Sequence, residues 1–402
     1  MTEVDQLEFT ITNEIDQIRS GKLSIVNNKI EKKSILTPTC LLYTKEGNPI
    51  NLTKDLLEGL SNNKPLGLHL SFSDIYQFSN VLEKFGKGSH KFLSLENQVL
   101  FCMIRDANGF AETLETSDQH MMVNTRKGKT KVTVEEYQKI SNQYIQPDVL
   151  SQFSVDIAWN VSRKKAIKLV TQNSSWLKSQ IKLTPSQYHS KLFAVIQGSK
   201  YKDQRMLSLK EAVAHQQSIG GFILGSFGSG ESPKEREDLL SELLPQLPKT
   251  KPRLITGIGS PEEVLSLVEL GIDIFSNNYP NLMTEWGNAL TFKFKFNSNN
   301  NNNNNNTQNE VESIINKINL WDSKYVIDKS PLVSDCKCFT CTQHTKAYIH
   351  HLLNTHEMLA EVLLTIHNTY HYLSFFEEIR NAIISNQFKS YKDTFLTQRL
   401  KE

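Results

Sequence analysis

The sequence predicts an α/β protein: a (β/α)8 barrel with a helical appendage at its C-terminal end. Three observations lead there. Eight short apolar runs lie between residues 35 and 276, and amphipathic stretches separate most of them. At 402 residues the chain can bury a large core and still carry a second, smaller unit. Beyond the last run, three of the five cysteines fall within six positions, at Cys336, Cys338 and Cys341.

The apolar runs, in order, are Ile35–Thr44, Leu66–Ser71, Val99–Ile104, Val149–Asp156, Leu192–Gln197, Gly220–Gly225, Arg253–Ile258 and Ile272–Ser276. Val134–Tyr144, Leu207–His215, Pro233–Leu244 and Pro261–Leu270 read as helices between them. Ser260 before Pro261 predicts a helix start, with serine as N-cap and proline at the first position. An open doubly wound sheet would show the same alternation. In a barrel of about 250 residues, chemistry gathers at the C-terminal ends of the strands. The ends expected here are Asp106, Asp156, Gln197-Gly198, Gly220-Gly221 and Ser276. Two carboxylates, an amide and close-approaching glycine backbone suit a planar polar heterocycle. Taken singly, each aspartate is the kind of residue that ends a strand in a turn or caps a helix.

Composition narrows the function classes. A net charge of +2 gives no global basic field of the kind many nucleic-acid binders carry. The N-terminus, Met1-Thr2-Glu3-Val4-Asp5, lacks the basic and apolar runs of a signal peptide. No stretch approaches the ~20 apolar residues of a membrane span, so a soluble protein is expected. The uninterrupted asparagine run Asn299–Asn306 cannot bury enough apolar surface to order itself. The expected organisation is therefore a barrel with an N-terminal extension over 1–296, a disordered insertion over 297–309, and a zinc-binding subdomain with C-terminal helices over 310–402.

Cys336, Cys338 and Cys341 form a Cys-x-Cys-x2-Cys cluster, which brings three soft anionic ligands around one point. A histidine closes such a set as a tetrahedral Cys3His site, typical of structural zinc, with no position left open for catalysis. Thiolate-bound zinc fits a reducing compartment. His344, His350, His351, His356, His367 and His371 all follow the thiolates. Residues 346–384 read as one long helix, with His367 and His371 one turn apart on the same face. Spacing alone leaves the choice open.

The motifs resemble those of the tRNA-guanine transglycosylases over residues 21–384. Cys336-Lys-Cys-Phe-Thr-Cys341 and Leu364-Thr365-Ile366-His367-Asn368 look like that family's zinc subdomain, and the resemblance selects His367 as the fourth ligand. Leu192-Phe-Ala-Val-Ile-Gln-Gly198, Gly220-Gly221-Phe222, Thr256-Gly-Ile-Gly-Ser-Pro-Glu262 and Gly271-Ile-Asp-Ile-Phe275 match further motifs. Thr37-Pro38-Thr39-Cys40-Leu41-Leu42-Tyr43-Thr44 is more similar to the family's eukaryotic accessory subunit than to its catalytic one. By this resemblance Asp106, Asp156, Gln197 and Gly221 are the base-binding candidates.

The departures from the catalytic pattern bear on function. Where catalytic members carry the aspartate that attacks the ribose C1′ carbon, this chain has Ser276, followed by Asn277-Asn278. A serine hydroxyl is almost fully protonated at neutral pH and needs an adjacent base, and no histidine lies close in sequence. Asp273, three residues earlier, points to the opposite face of a strand, so a structural role is expected for it. The family's arginine-bearing stretch after the nucleophile reads Pro280-Asn281-Leu282-Met283-Thr284-Glu285-Trp286-Gly287, which lacks the cations that phosphates require. Its Asp-Ser-Gly-Gly-Phe signature is eroded to Asp106-Ala107-Asn108-Gly109-Phe110, and Ile157 replaces a second acidic residue.

The resemblance then implies a non-catalytic subunit with no catalytic residue of its own and one zinc per chain. It would form a heterodimer with a catalytic queuine tRNA-ribosyltransferase subunit, and together they would exchange guanine for queuine at the tRNA wobble position. A homodimer before the partner arrives stays open. So do a self-sufficient enzyme with a displaced nucleophile and a queuine-binding carrier or sensor. The expected location is the cytoplasm, with peripheral attachment to the mitochondrial outer membrane implied by the resemblance alone.

Overall fold

The computed structural model describes residues 6–27, 30–107, 116–125, 128–185, 188, 191–294 and 316–399. The asparagine-rich segment 297–309 and residues Asn108–Phe110 lie outside them. The chain forms two compact units. One comprises the residues up to Ile50 together with Ser61–Asn278, and the other Asn51–Leu60 with the residues from Tyr279 onward. None of the described helices is long and apolar enough to cross a membrane.

Eight parallel strands close the barrel of the first unit: Thr39–Lys45, Gly67–Ser71, Val99–Met103, Val149–Ser151, Leu192–Ile196, Gly221–Leu224, Arg253–Thr256 and Ile274–Ser276. The ring shuts where Ile274, Phe275 and Ser276 pair with Thr39, Cys40 and Leu41. An open doubly wound sheet is thereby excluded, because such a sheet leaves its edge strands unpaired. Each strand coincides with an expected run, but several are shorter. Val149–Ser151 stops well before Asp156: Gln152 N–H still donates to Phe193 O at 2.8 Å, but the next N–H groups turn to side chains. Phe153 N–H donates to Gln180 Oε1 and Val155 N–H to Asn173 Oδ1.

The expected run Ile35–Thr44 divides at Pro38, which has no N–H to give to a ladder. Its first half belongs to an antiparallel sheet that periodicity did not reveal, made of Gln6–Ile15, Ile18–Asn27 and Ile30–Thr37. Leu7, Leu23, Ile25 and Ile35 of this sheet share one core with Leu41, Val99, Val149, Phe193, Leu254 and Ile274. Those barrel residues lie at or near the beginnings of their strands, so the sheet seals the N-terminal end. Arg19 adds a buried polar tie. Its Nε and Nη2 donate to the two oxygens of Asp273 at 2.9 and 2.5 Å, and Arg253 N–H donates to the same carboxylate at 2.6 Å. Asp273 thus has the structural role expected of it.

The crossover helices follow local signals. Pro233–Leu243 starts with a full capping box between Ser232 and Glu235 and with Pro233 in its first turn. Ser260 does sit at the N-cap of Pro261–Glu269, but its hydroxyl donates to Glu263 instead of capping the backbone. The helix expected over 134–144 runs from Val134 to Lys139 and continues as a wider π turn through Ile145.

In the second unit the expected single helix over 346–384 is two helices, Lys346–Asn354 and Met358–Ile384. His356 stands between them in the left-handed conformation, at φ +55°. Its N–H donates to Leu353 O, and Glu357 N–H donates to Leu352 O, a Schellman closure that ends the first helix. A heptad-like apolar pattern runs straight through this break, which is why periodicity missed it. The short strands Asn288–Leu290 and Lys317–Asn319 pair beside these helices.

Candidate functional site

The second unit holds the sulfur cluster. Cys338 is the N-cap of the short helix Phe339–Gln343, and its Sγ accepts from Cys341 N–H at 3.4 Å, so both thiols point the same way. Thr340 anchors this turn by donating to Leu363 O at 2.7 Å on the long helix, which places His367 opposite the thiols. His367 Nδ1 lies 3.8, 3.5 and 3.3 Å from the sulfurs of Cys336, Cys338 and Cys341. All four donor atoms fall within 4.8 Å of one another. Donors at the corners of a tetrahedron with bonds of about 2.0–2.3 Å have separations of that size.

The surroundings orient the histidine for a metal. Nε2–H donates to Leu290 O at 2.8 Å, which leaves Nδ1 as the free lone pair. Asn368 holds that strand in place. Its Oδ1 accepts from Leu290 N–H at 2.8 Å, and its Nδ2 donates to Asn288 O at 2.9 Å. His371, the other histidine on this face, donates from Nε2 to Phe292 O at 3.0 Å and is not among the four donors. Hydrogen bonds from Cys338 and Cys341 hold the Cys336 thiol far below its ordinary range, and the contacts with Cys336 and Cys341 push Cys338 up. Three thiols this close cannot all ionise without a cation between them. The group can therefore hold a metal ion, with His367 as the histidine that spacing alone could not choose.

The barrel mouth belongs to the first unit. Ser276 ends the eighth barrel strand, fully buried, and sequence reading found no base beside it. The fold supplies one from the second strand: His69 Nδ1 lies 2.7 Å from Ser276 Oγ. The two are 207 positions apart, so only barrel closure could reveal the pair. Burial pushes His69 down to about 4, with Asp106 opposing and Arg105 reinforcing the shift. At neutral pH His69 is therefore an uncharged and weak base, and the serine keeps its proton.

Asp106 lies three residues past its strand, with Tyr43 Oη 3.5 Å from its Oδ2. Asp156 lies on the loop after Val149–Ser151, with Arg105 Nε 3.3 Å from its Oδ2. Burial raises the Asp156 pKa, and the charges of Arg105 and then Arg205 oppose that rise. Gln197 follows its strand directly, but its amide is committed to the protein. Nε2 donates to Val155 O at 2.7 Å, while Oε1 accepts from Ser226 Oγ at 2.7 Å and from Ile157 N–H at 3.3 Å. It fixes the loop that carries Asp156. Gly221 is not at the mouth. It begins its strand, and a Cβ there would lie 2.6 Å from the Phe193 ring, so the glycine serves packing at the other end of the barrel. The mouth end of that strand is Gly225-Ser226, the far end of the expected run from the Gly220-Gly221 pair.

Charged partners that sequence reading missed line the same loops. Glu231 accepts from the backbone N–H groups of Gly228 and Ser229 at 2.5 and 3.0 Å and from Arg236 Nε at 3.1 Å. Arg236 reaches on to Glu263 at 2.7 Å. Arg205 is fully buried, donates to Ser199 O and Gly225 O, and stacks on Phe227 with its guanidinium carbon 4.0 Å from the ring centre.

Comparison with known proteins gives the family. The family profile described as queuine tRNA-ribosyltransferase matches residues 16–401. The chain is 32% identical to the queuine tRNA-ribosyltransferase accessory subunit 2 of Danio rerio, over 98% of this chain and 99% of that protein. It is also 32% identical to the human protein of the same name, over 96% and 98%, and to that of Trichoplax adhaerens, over 90% and 93%. A closed barrel, a Cys3His cluster and a match along nearly the whole length place this chain in the queuine tRNA-ribosyltransferase family.

Proposed function

We propose that this chain is the non-catalytic subunit of a queuine tRNA-ribosyltransferase, supporting the exchange of guanine for queuine at the tRNA wobble position by a catalytic partner. The observation that carries the reading is Ser276. At the position where the resemblance places an attacking carboxylate, a fully buried hydroxyl is tied to a neutral imidazole. The names of the full-length relatives, accessory subunit 2, support it. The partner supplies the nucleophile, and this chain stabilises the pair and helps to seat the anticodon arm of the tRNA.

The metal is zinc, one ion per chain, held by Cys336, Cys338, Cys341 and His367. Three thiolates and one imidazole suit zinc and leave no open coordination position. Its part is structural: it ties the turn at Cys338 to the long helix. Location in the cytoplasm, with peripheral attachment to mitochondria, rests on the resemblance and is read out by cell fractionation.

The Ser276–His69 pair favours one second reading, a self-sufficient enzyme. Two features weigh against it: His69 is too weak a base at about 4, and both side chains are inaccessible to a ribose. The deciding experiment follows labelled guanine in tRNA with the purified chain, alone and with its catalytic partner. Exchange is expected only with the partner. Exchange by the chain alone would overturn the proposal.

A further inference from the structure

Arg105 follows the third barrel strand and turns into the barrel mouth, only slightly exposed. Acceptors from three other strand ends ring its guanidinium. Nη1 donates to Phe227 O at 3.1 Å and to Thr256 Oγ1 at 3.1 Å, and Nε lies 3.3 Å from Asp156 Oδ2. The contact with Asp156 is an ion pair without hydrogen-bond alignment. Gly257 brings bare backbone against the group at φ +83°, and a Cβ there would sit 2.9 Å from Nη2. Three other strand ends thus converge on a side chain of this same protein.

A guanidinium is a planar array of N–H donors. The N1–H and 2-amino edge of guanine is the same fragment, a guanidine unit built into a ring. A carboxylate, a carbonyl and a hydroxyl placed around one will accept from the other. We propose that Arg105 is a built-in surrogate for a guanine-type base: it occupies the acceptor set at the barrel mouth and bars a free purine base from this subunit. This inference rests on the non-catalytic reading and deepens it. Besides lacking the nucleophile, the chain withholds its own mouth, so free base in the pair is taken up by the partner alone. Removing Arg105 leaves Asp156 buried without that cation, a state that a base with paired N–H donors relieves.

The test uses the full chain and two probes, guanine and methylguanidinium, with binding followed by calorimetry and by Tm. The wild-type chain should bind neither. Arg105→Ala should bind both, at least tenfold more tightly than wild type, with each displacing the other. The double variant Arg105→Ala, Asp156→Asn should lose both. The proposal is overturned if wild type binds guanine as tightly as Arg105→Ala does, or if a folded Arg105→Ala binds neither probe. Should Arg105→Ala be too unstable alone, a rise in its Tm with methylguanidinium reads the same binding, and no rise overturns the proposal. A wild-type chain that binds guanine would leave the accessory-subunit reading intact, whereas guanine exchange into tRNA by the isolated chain would overturn that reading.

Discussion

At the scale of single residues, Ser276 and Asp273 sit in one short segment and do opposite things. Ser276 Oγ is spent on His69. Ser276→Ala should leave base exchange by the reconstituted pair within a few-fold of wild type and cost about 1 kcal/mol of stability, from the imidazole left without its partner. A hundredfold fall in exchange, about 2.7 kcal/mol of transition-state stabilisation, would mean that the hydroxyl does chemistry. Asp273 balances Arg19 and contacts Arg253 in a site sealed from water. Asp273→Asn removes the charge and strands buried cations, so a loss of about 3–5 kcal/mol is expected in denaturant unfolding. An effect under 1 kcal/mol would show that the ion pair is not the tie it resembles. Neither role follows from the residue type. Both follow from which strand end each residue occupies.

At the scale of elements, the helix Met358–Ile384 carries His367 and Asn368, the metal donor and the clamp on the Asn288–Leu290 strand. Its start is not closed by a side-chain cap, and the cluster's ties to it come further along, at Leu363 O and His367. Cys338→Ser also replaces the sulfur that caps Phe339–Gln343. We predict that this variant loses its zinc and lowers the Tm, because metal binding is linked to folding. Full zinc content in Cys338→Ser, by elemental analysis, would refute the ligand assignment. The same helix has an apolar residue at most turns, more than one contact face requires. Most of that surface is already covered: Leu363, Leu364, Ile366, Tyr372, Phe375 and Phe376 are buried. Leu359 stays exposed, and Val362, Tyr370 and Leu373 are half-buried along one stripe at helical spacing.

At the scale of the whole molecule, the proposed lack of a nucleophile directs attention to the surface that meets a catalytic partner. The residual stripe on the long helix is the surface proposed to meet the catalytic subunit. Leu359→Glu with Leu373→Glu should abolish the heterodimer and its exchange activity, while the chain keeps its zinc and its fold. A stable heterodimer in sizing chromatography after these changes would place the interface elsewhere. Sizing of the wild-type chain alone would show whether copies pair with each other before the partner binds.

The sequence by itself determined the barrel strands and the thiolate cluster, and its family resemblance implies the missing carboxylate at Ser276. Each is written locally, in a run of apolar residues, a three-cysteine spacing or a single substitution. Only the tertiary structure decided the rest. Gln6–Ile15 alternates between exposed and covered positions while Ile18–Asn27 is covered almost throughout, and the sheet's role as the seal of the barrel emerges only from the core it shares. Gly221 and Gln197 look like ligand contacts in a motif, yet one packs on Phe193 and the other ties a loop. The pairs Ser276–His69, Arg19–Asp273 and Arg105–Asp156 join residues 207, 254 and 51 positions apart. Closure of a ring of parallel strands brings such distant positions together, and linear spacing carries no trace of it.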